Sequence, residues 1–263
     1  LMTLKNEWEG TVLLLFQPGE EKLPGGAKKM LEEGVFADAR PDVIIGQHVT
    51  PGMPVGVVGF RPGQYMASAD EIYITVKGKG GHAATPHMLI DPVLIASTII
   101  VSLQQVVSRH APASVPSVLS FGKFMANGAT NVIPDNVFIE GTFRTMDEPF
   151  RAKAHHLISE MAQSIAKGMG GECEIEIRKG YPVLVNDIPA CNYAMKMAGE
   201  FLGNENVEHL DIRMTSEDFA WFSQEYPGVF YRLGTGTLPG NPLLHTSNFD
   251  IDEQALVTGS GLM

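Results

Sequence analysis

Cysteine is scarce: Cys173 and Cys191 are the only two in 263 residues. That excludes a disulfide framework and makes a reducing cytoplasm the default compartment. Positive charge is also short, with 19 Lys and Arg against 30 Asp and Glu and a net charge of −11 when histidine is neutral. Such an excess repels phosphate backbones and anionic lipid headgroups, which disfavours a general nucleic-acid binder and a membrane-surface protein. No apolar run is long enough to cross a bilayer. The longest, Val93 to Leu103, is broken by Ser97, Thr98 and Ser102 and falls well short of the roughly 20 residues required. No basic, apolar and small-residue succession opens the chain, so no signal peptide is visible. No repeat, low-complexity tract or Gly-Ser linker occurs. What is present is a soluble-globular composition, 44% hydrophobic and 19% charged, sufficient for a substantial core. The chain opens one strand before its most informative motif and closes on a helix-like run, so it is expected to be a piece of a longer polypeptide.

Thr11 to Phe16 is a continuous apolar run, the pattern of a strand covered on both faces in a parallel sheet. Gly25 to Glu33 reads as a helix stopped by Gly34, and Asp42 to Gly46 as a second buried strand. This order predicts a right-handed crossover and an α/β layer. From Glu71 to Lys77 the pattern alternates with period two, as in a strand with one wet face. Asp91 to Ser108 predicts a helix capped by Asp91, Val115 to Met125 and Val137 to Arg144 predict strands, Asp147 to Met169 a long helix, and Cys173 to Arg178 a last strand. The result is β-α-β-β-α-β, the order of a ferredoxin-like unit. Helices at Ala190 to Leu202 and near Glu217 to Ser223, with a strand at Val229 to Leu233, return the chain to α/β. The predicted architecture is a parallel-sheet α/β domain, residues 1–67 and 181–263, interrupted by an inserted domain at 68–180.

Gln17-Pro18-Gly19-Glu20-Glu21 follows the first predicted strand, and in open α/β sheets ligands bind at the carboxyl ends of strands. Adjacent glutamates repel unless a cation lies nearby, and a metal would use one as ligand and leave the other as a base beside bound water. On the pentad alone, a solvated loop with its glutamates favourably placed before a helix is the commoner arrangement. His48 follows the second strand and His245 the third, so one Glu and two His converge from three strand ends, a mixed oxygen and nitrogen set suited to zinc, manganese or a similar divalent ion. Gly78-Lys79-Gly80-Gly81-His82 presents His82 at a loop tip or is a turn that happens to hold a histidine. Asn131 either donates to an oxyanion or a carboxylate, or shapes its loop. Arg144 either grips a substrate carboxylate or is a surface arginine. In Thr215-Ser216-Glu217-Asp218-Phe219, Ser216 reads as a helix cap with acids in the first turn, a structural arrangement.

Together these segments resemble the metal-dependent amidohydrolases typified by hippurate hydrolase, indole-acetyl-amino-acid hydrolases and N-acyl-amino-acid deacetylases, within the aminoacylase and carboxypeptidase superfamily. The resemblance runs from Phe16-Gln17-Pro18-Gly19-Glu20-Glu21 through Gly80-Gly81-His82-Ala83-Ala84 and Asn131-Val132-Ile133-Pro134-Asp135 to His245-Thr246-Ser247-Asn248-Phe249. It implies Glu20 as general acid/base, Glu21, His48 and His245 as ligands of two divalent ions per complete subunit, and the insert as a lid that forms a homodimer. It also implies that His82 helps stabilise the oxyanion in a partner's site, that Asn131 lines the same pocket, and that Arg144 meets the substrate carboxylate. The family's upstream Cys-Gly-His-Asp-x-His segment has no counterpart here, since residues 1–19 hold no Cys, His or Asp. Hydrolysis of N-acyl amino acids is the leading expectation. A dipeptidase or carboxypeptidase with the same chemistry and a catalytically silent dimeric binding protein are the rivals.

Overall fold

The apolar run expected to open the sheet does not join one. In the computed structural model, which describes residues 6–236 and 244–263, Thr11–Phe16 lies outside every strand. Its Leu14 and Phe16 are 68% and 86% exposed. Among the described residues no strand pairs with it, and an apolar pattern without a ladder partner leaves its backbone groups outside the sheet. The predicted strand–helix–strand crossover is therefore not formed, although its helix is: α1 spans Gly26–Glu32 and gives way at Gly34, whose φ of +76° suits glycine.

One four-stranded sheet contains β1 (Ile44–Pro54), β2 (Val58–Phe60), β11 (Val207–His209) and β12 (Gly228–Gly236), in the order β1-β12-β2-β11. β1 runs parallel to β12, whereas β2 is antiparallel to β12 and parallel to β11. The sheet is thus mixed where a parallel one was expected. Its strand β12 is buried throughout, because both faces are covered. Val229, Tyr231 and Leu233 pack with Cys191 and Ala198 of α4 (Ile188–Leu202) and Ala255 of α6 (Gln254–Leu262). Phe230 packs on the other face with Ala27, Tyr65 and Phe222 of α5 (Ala220–Glu225). β3 (Gly63–Met66) pairs antiparallel with β10 (Leu184–Asn186) beside this core.

The second four-stranded sheet comes from the middle of the chain: β4 (Asp70–Lys77), α2 (Pro92–Gln105), β6 (Ser117–Met125), β8 (Asn136–Thr145), α3 (Glu148–Gly168) and β9 (Glu172–Lys179). Its order is β6-β8-β4-β9, antiparallel throughout. Ile72, Ile74 and Val76 point from β4 into a core with Ile95, Ile99 and Leu103 of α2 and Ala154, Ile158 and Ala162 of α3, the buried side of the period-two pattern. Both long helices start where their aspartates place them. Asp91 accepts from Val93 and Leu94 N–H, and Asp147 from Phe150 N–H. With the wider turn Val106–His110 that follows α2, the stretch Pro92–His110 has the length and apolarity to cross a membrane. Its Ile95, Ile99, Leu103 and Val106 are instead core residues. A two-stranded ribbon, β5 (Gly81–His82) with β7 (Val132–Ile133), projects from this part of the chain.

Where the chain passes between the two sheets it is tied by Arg151, which is 1% exposed. Its Nε donates to Asp70 Oδ2 at 2.9 Å and its Nη2 to Asp70 Oδ1 at 2.5 Å and to the carbonyls of Ala69 and Gly180 at 3.3 and 3.1 Å. His155 Nε2 lies 2.6 Å from Asp70 Oδ2. Burial would push the Asp70 carboxyl up, but the hydrogen bonds from His155 and Arg151 and their charges outweigh it and hold it below the usual Asp range. A folded-state value below the unfolded one, about 3.9, adds stability above that pH which is lost as pH falls through the folded value. Urea titrations between pH 3 and 6 are expected to show an acid limb that flattens in Asp70→Asn.

Candidate active site

Glu20 and Glu21 lie in a turn, where Lys22 N–H reaches the Gly19 carbonyl at 3.3 Å and Gly19 adopts φ +65°. They are not at the end of a strand, as expected. The turn sits against Asp218, whose carboxylate accepts the side-chain amide of Gln17 and the backbone N–H of Ala27, the latter at 3.0 Å. His48 also sits differently from the expectation, within β1 rather than beyond it. β12 continues alongside and pairs His48 with Arg232, Thr50 with Gly234 and Pro54 with Gly236, so the strand has no reason to stop at Gly46. His245 is a non-glycine residue at φ +63°, a backbone state that persists only where surroundings impose it and that concentrates at functional sites. Its Nδ1 lies 3.6 Å from Glu21 Oε1, with both side chains exposed.

Glu20, Glu21, His48, Arg144 and His245 all line one cavity of about 1020 Å³. The second sheet also contributes Tyr73, Ser120 and Lys123 to its lining. Arg144 is half-buried; its Nη1 donates to the Met214 carbonyl at 3.2 Å and to Ser216 Oγ at 3.3 Å. His82 and Asn131 do not line the cavity. They are exposed on the β5/β7 ribbon, where the Ala83 N–H donates to the Asn131 carbonyl at 3.0 Å, so the fold brings this pair together away from the other five.

The whole chain, residues 1–263, matches the model of peptidase family M20/M25/M40. The chain belongs to this family. Curated M20-family relatives include the N-acetylcysteine deacetylase of Bacillus subtilis, 38% identical over 254 residues that cover 97% of this chain and 65% of that protein. Another is the IAA-amino acid hydrolase ILR1-like 4 of Arabidopsis thaliana, 36% identical over 264 residues, 98% of this chain and 59% of that protein. The chain thus spans somewhat less than two thirds of the length of these relatives. Among solved structures, the Bacillus subtilis YXEP protein, described as a dinuclear metal binding peptidase from the M20 family, superposes with a TM-score of 0.73 at 32% identity, covering 94% of this chain and 61% of that one.

The donor chemistry of this M20 chain fits divalent metal ions. His48 Nδ1 lies 2.7 Å from its neighbour Val49 carbonyl, which places the proton on Nδ1 and leaves Nε2 as a lone-pair donor, the arrangement of a ligating histidine. Burial and the Arg232 charge push the His48 ring below its ordinary range, so it is neutral at neutral pH. Carboxylates crowd the same place. Oxygens of Glu20, Glu217 and Asp218 lie within 4.8 Å of one another. Burial, then the charges of Glu21 and Asp218, push Glu20 up, and burial with the Glu20 and Asp218 charges pushes Glu217 up to about 8. Negative charge compressed this way in a buried setting is relieved by a cation.

Glu217 and Asp218 are the site residues that sequence reasoning missed. Ser216 is not the cap of α5, which begins at Ala220 after Phe219 with no side-chain cap; its hydroxyl serves Arg144 instead. The signal was available in the sequence. Two adjacent acids directly before Phe219-Ala220-Trp221-Phe222 are acids attached to a segment that must be buried. Arg232 was missed for the opposite reason. It is 3% exposed inside a strand, held by Tyr65 Oη at 3.0 Å and Met66 Sδ at 3.3 Å, and lines the cavity. An apolar strand pattern does not distinguish a buried arginine from a surface one.

Proposed function

We propose that this chain hydrolyses the amide bond of N-acyl amino acids, releasing a carboxylic acid and a free amino acid. The observation that carries the reading is that Glu20, Glu21, His48 and His245, drawn from separated stretches, line one cavity. The names of the N-acetylcysteine and IAA-amino acid relatives support the substrate class.

Glu21, His48 and His245 would hold the metal, expected as two divalent ions, zinc or manganese. When bound, such ions lower the pKa of a water and polarise a carbonyl. Glu20, its carboxyl raised by burial and by Glu21, accepts the proton of the attacking water at a side-chain oxygen and delivers it to the departing nitrogen. Arg144, in the cavity wall, pairs with the substrate's carboxylate. The second sheet and its helices, 68–180, form a ferredoxin-like lid through which two copies dimerise, and the exposed His82 and Asn131 serve the oxyanion in the partner's site. Two unpaired thiols suit a cytoplasmic location.

Side-by-side assays on N-acetyl amino acids, hippurate-like compounds and dipeptides test the reading. Turnover is expected on the first two, and activity confined to dipeptides would move the assignment to peptide bonds. His48→Ala is expected to weaken divalent-metal affinity by more than the roughly 10–100-fold typical of losing an outer-shell partner, as read by chelator competition. Wild-type affinity in that variant would remove His48 from the ligand set.

A further inference from the structure

The segment carrying Glu20 and Glu21 is closed at both ends by one side chain. Asp218, fully buried, takes the Gln17 side-chain amide on Oδ1 and the Ala27 N–H on Oδ2 at 3.0 Å, and the Gly26 N–H also reaches it. Gln17 and Ala27 bracket the two glutamates. The local glycines are shaped to this contact. A Cβ at Gly25, whose φ is +86°, would lie 2.5 Å from Asp218 Oδ2, and a Cβ at Gly26 would meet the Pro18 carbonyl oxygen at 1.6 Å. A second tie reaches the middle of the segment, where the Tyr181 hydroxyl donates to the Glu20 carbonyl. Among the described residues no strand leads into the loop, and these ties hold the stretch that carries Glu20 and Glu21.

We propose that Asp218 is the positioning residue of this site, holding the Glu20–Glu21 turn over the cavity through its grip on Gln17, Gly26 and Ala27. The inference rests on the reading of Glu20 as base and Glu21 as metal ligand. Asp218 acts through the loop and does not touch substrate. Both of its oxygens already accept N–H groups of this chain, which makes it a poorer cation donor than Glu21 or His48, despite its place in the acid cluster.

The test is Asp218→Asn in the full, metal-loaded chain. The amide keeps one acceptor and turns an N–H₂ group toward a donor. Hydrogen–deuterium exchange in peptides covering 17–27 is expected to accelerate about tenfold or more, with exchange elsewhere unchanged, since the loop loses local protection. kcat per folded site should fall about 100-fold with KM held within about threefold, the cost of displacing a catalytic group by about 1 Å while substrate contacts persist. A purely structural residue would lower the folded fraction and leave kcat per folded site intact. Unchanged exchange in 17–27, or accelerated exchange with wild-type kcat, overturns the proposal. Should Asp218→Asn fail to fold, Gln17→Leu removes one donor and leaves the carboxylate. It is expected to accelerate exchange in the same peptides and lower kcat about tenfold, and wild-type behaviour there overturns the proposal equally. If the unmutated, metal-loaded chain turns over no N-acyl amino acid, the functional reading fails, and the exchange measurement alone decides whether Asp218 holds the loop.

Discussion

Glu20→Gln is expected to lower kcat by about a thousandfold, within the range that general acid–base groups contribute, while bound metal and melting temperature stay at wild-type values. The amide is isosteric and keeps a hydrogen-bond acceptor, but it cannot accept the water proton or return it to the leaving nitrogen. Nothing in the fold depends on the charge. Glu20 is held by its backbone, through the Tyr181 hydroxyl on its carbonyl, and its carboxyl is already pushed up by burial and by Glu21 and Asp218. Removing that negative charge relieves repulsion, so stability is unchanged or slightly raised. Steady-state kinetics, metal analysis and thermal denaturation on one preparation decide the matter. Activity near wild type ends the assignment of Glu20 as base, and loss of metal makes Glu20 a ligand instead.

Arg151→Ala is the largest stability effect expected, about 3–5 kcal/mol, the usual cost of removing one partner from a buried pair. The guanidinium satisfies Asp70, the Ala69 and Gly180 carbonyls and Glu148 in one place. Its removal leaves Asp70, which has no exposed side-chain surface, with His155 as its remaining side-chain partner. Combining Arg151→Ala with Asp70→Asn should cost less than Arg151→Ala alone, because the stranded charge is gone. Urea denaturation of the two variants reads this directly, and a single-variant loss under about 1 kcal/mol would show that water or His155 replaces the guanidinium. The position bears on the cavity as well, since Ala69 and Asp70, both held by Arg151, line it.

How much of this was legible in the sequence varies by element. The second sheet was readable nearly to the residue. β4 alternates with period two, and Asp91 and Asp147 announce α2 and α3 by capping. Local rules suffice there to set each element's type and ends, because alternation and capping act within the element, even though the partners of β4 are the distant β8 and β9. The short strands β2, β3, β10 and β11 carried no such signal, since three or four residues hold too little pattern. The run Thr11–Phe16 carried a strong one and still formed no strand, because a strand is a pairing and its pattern names no partner. At the site, Glu20, Glu21, His48 and His245 stood out as residue types at suggestive places. Glu217 and Asp218 were signalled only by the apolar segment that follows them, and Arg232 not at all, since a buried arginine in a strand is recognisable only once its surroundings are known.

The sequence by itself determined the element types of the second sheet, the starts of its two long helices and a small set of carboxylates and imidazoles of the kind that bind divalent ions. Those follow from periodicity, capping and side-chain chemistry, all of which act over a few residues. Tertiary structure alone decided that β1 continues past His48 beside β12, that Asp218 grips a loop far away in the chain, and that His82 and Asn131 stand apart from the other candidates. Each of these depends on which distant segments exclude water together. Burial is a property of the assembled chain, and it sets both the charge state of an acid and the need for a partner.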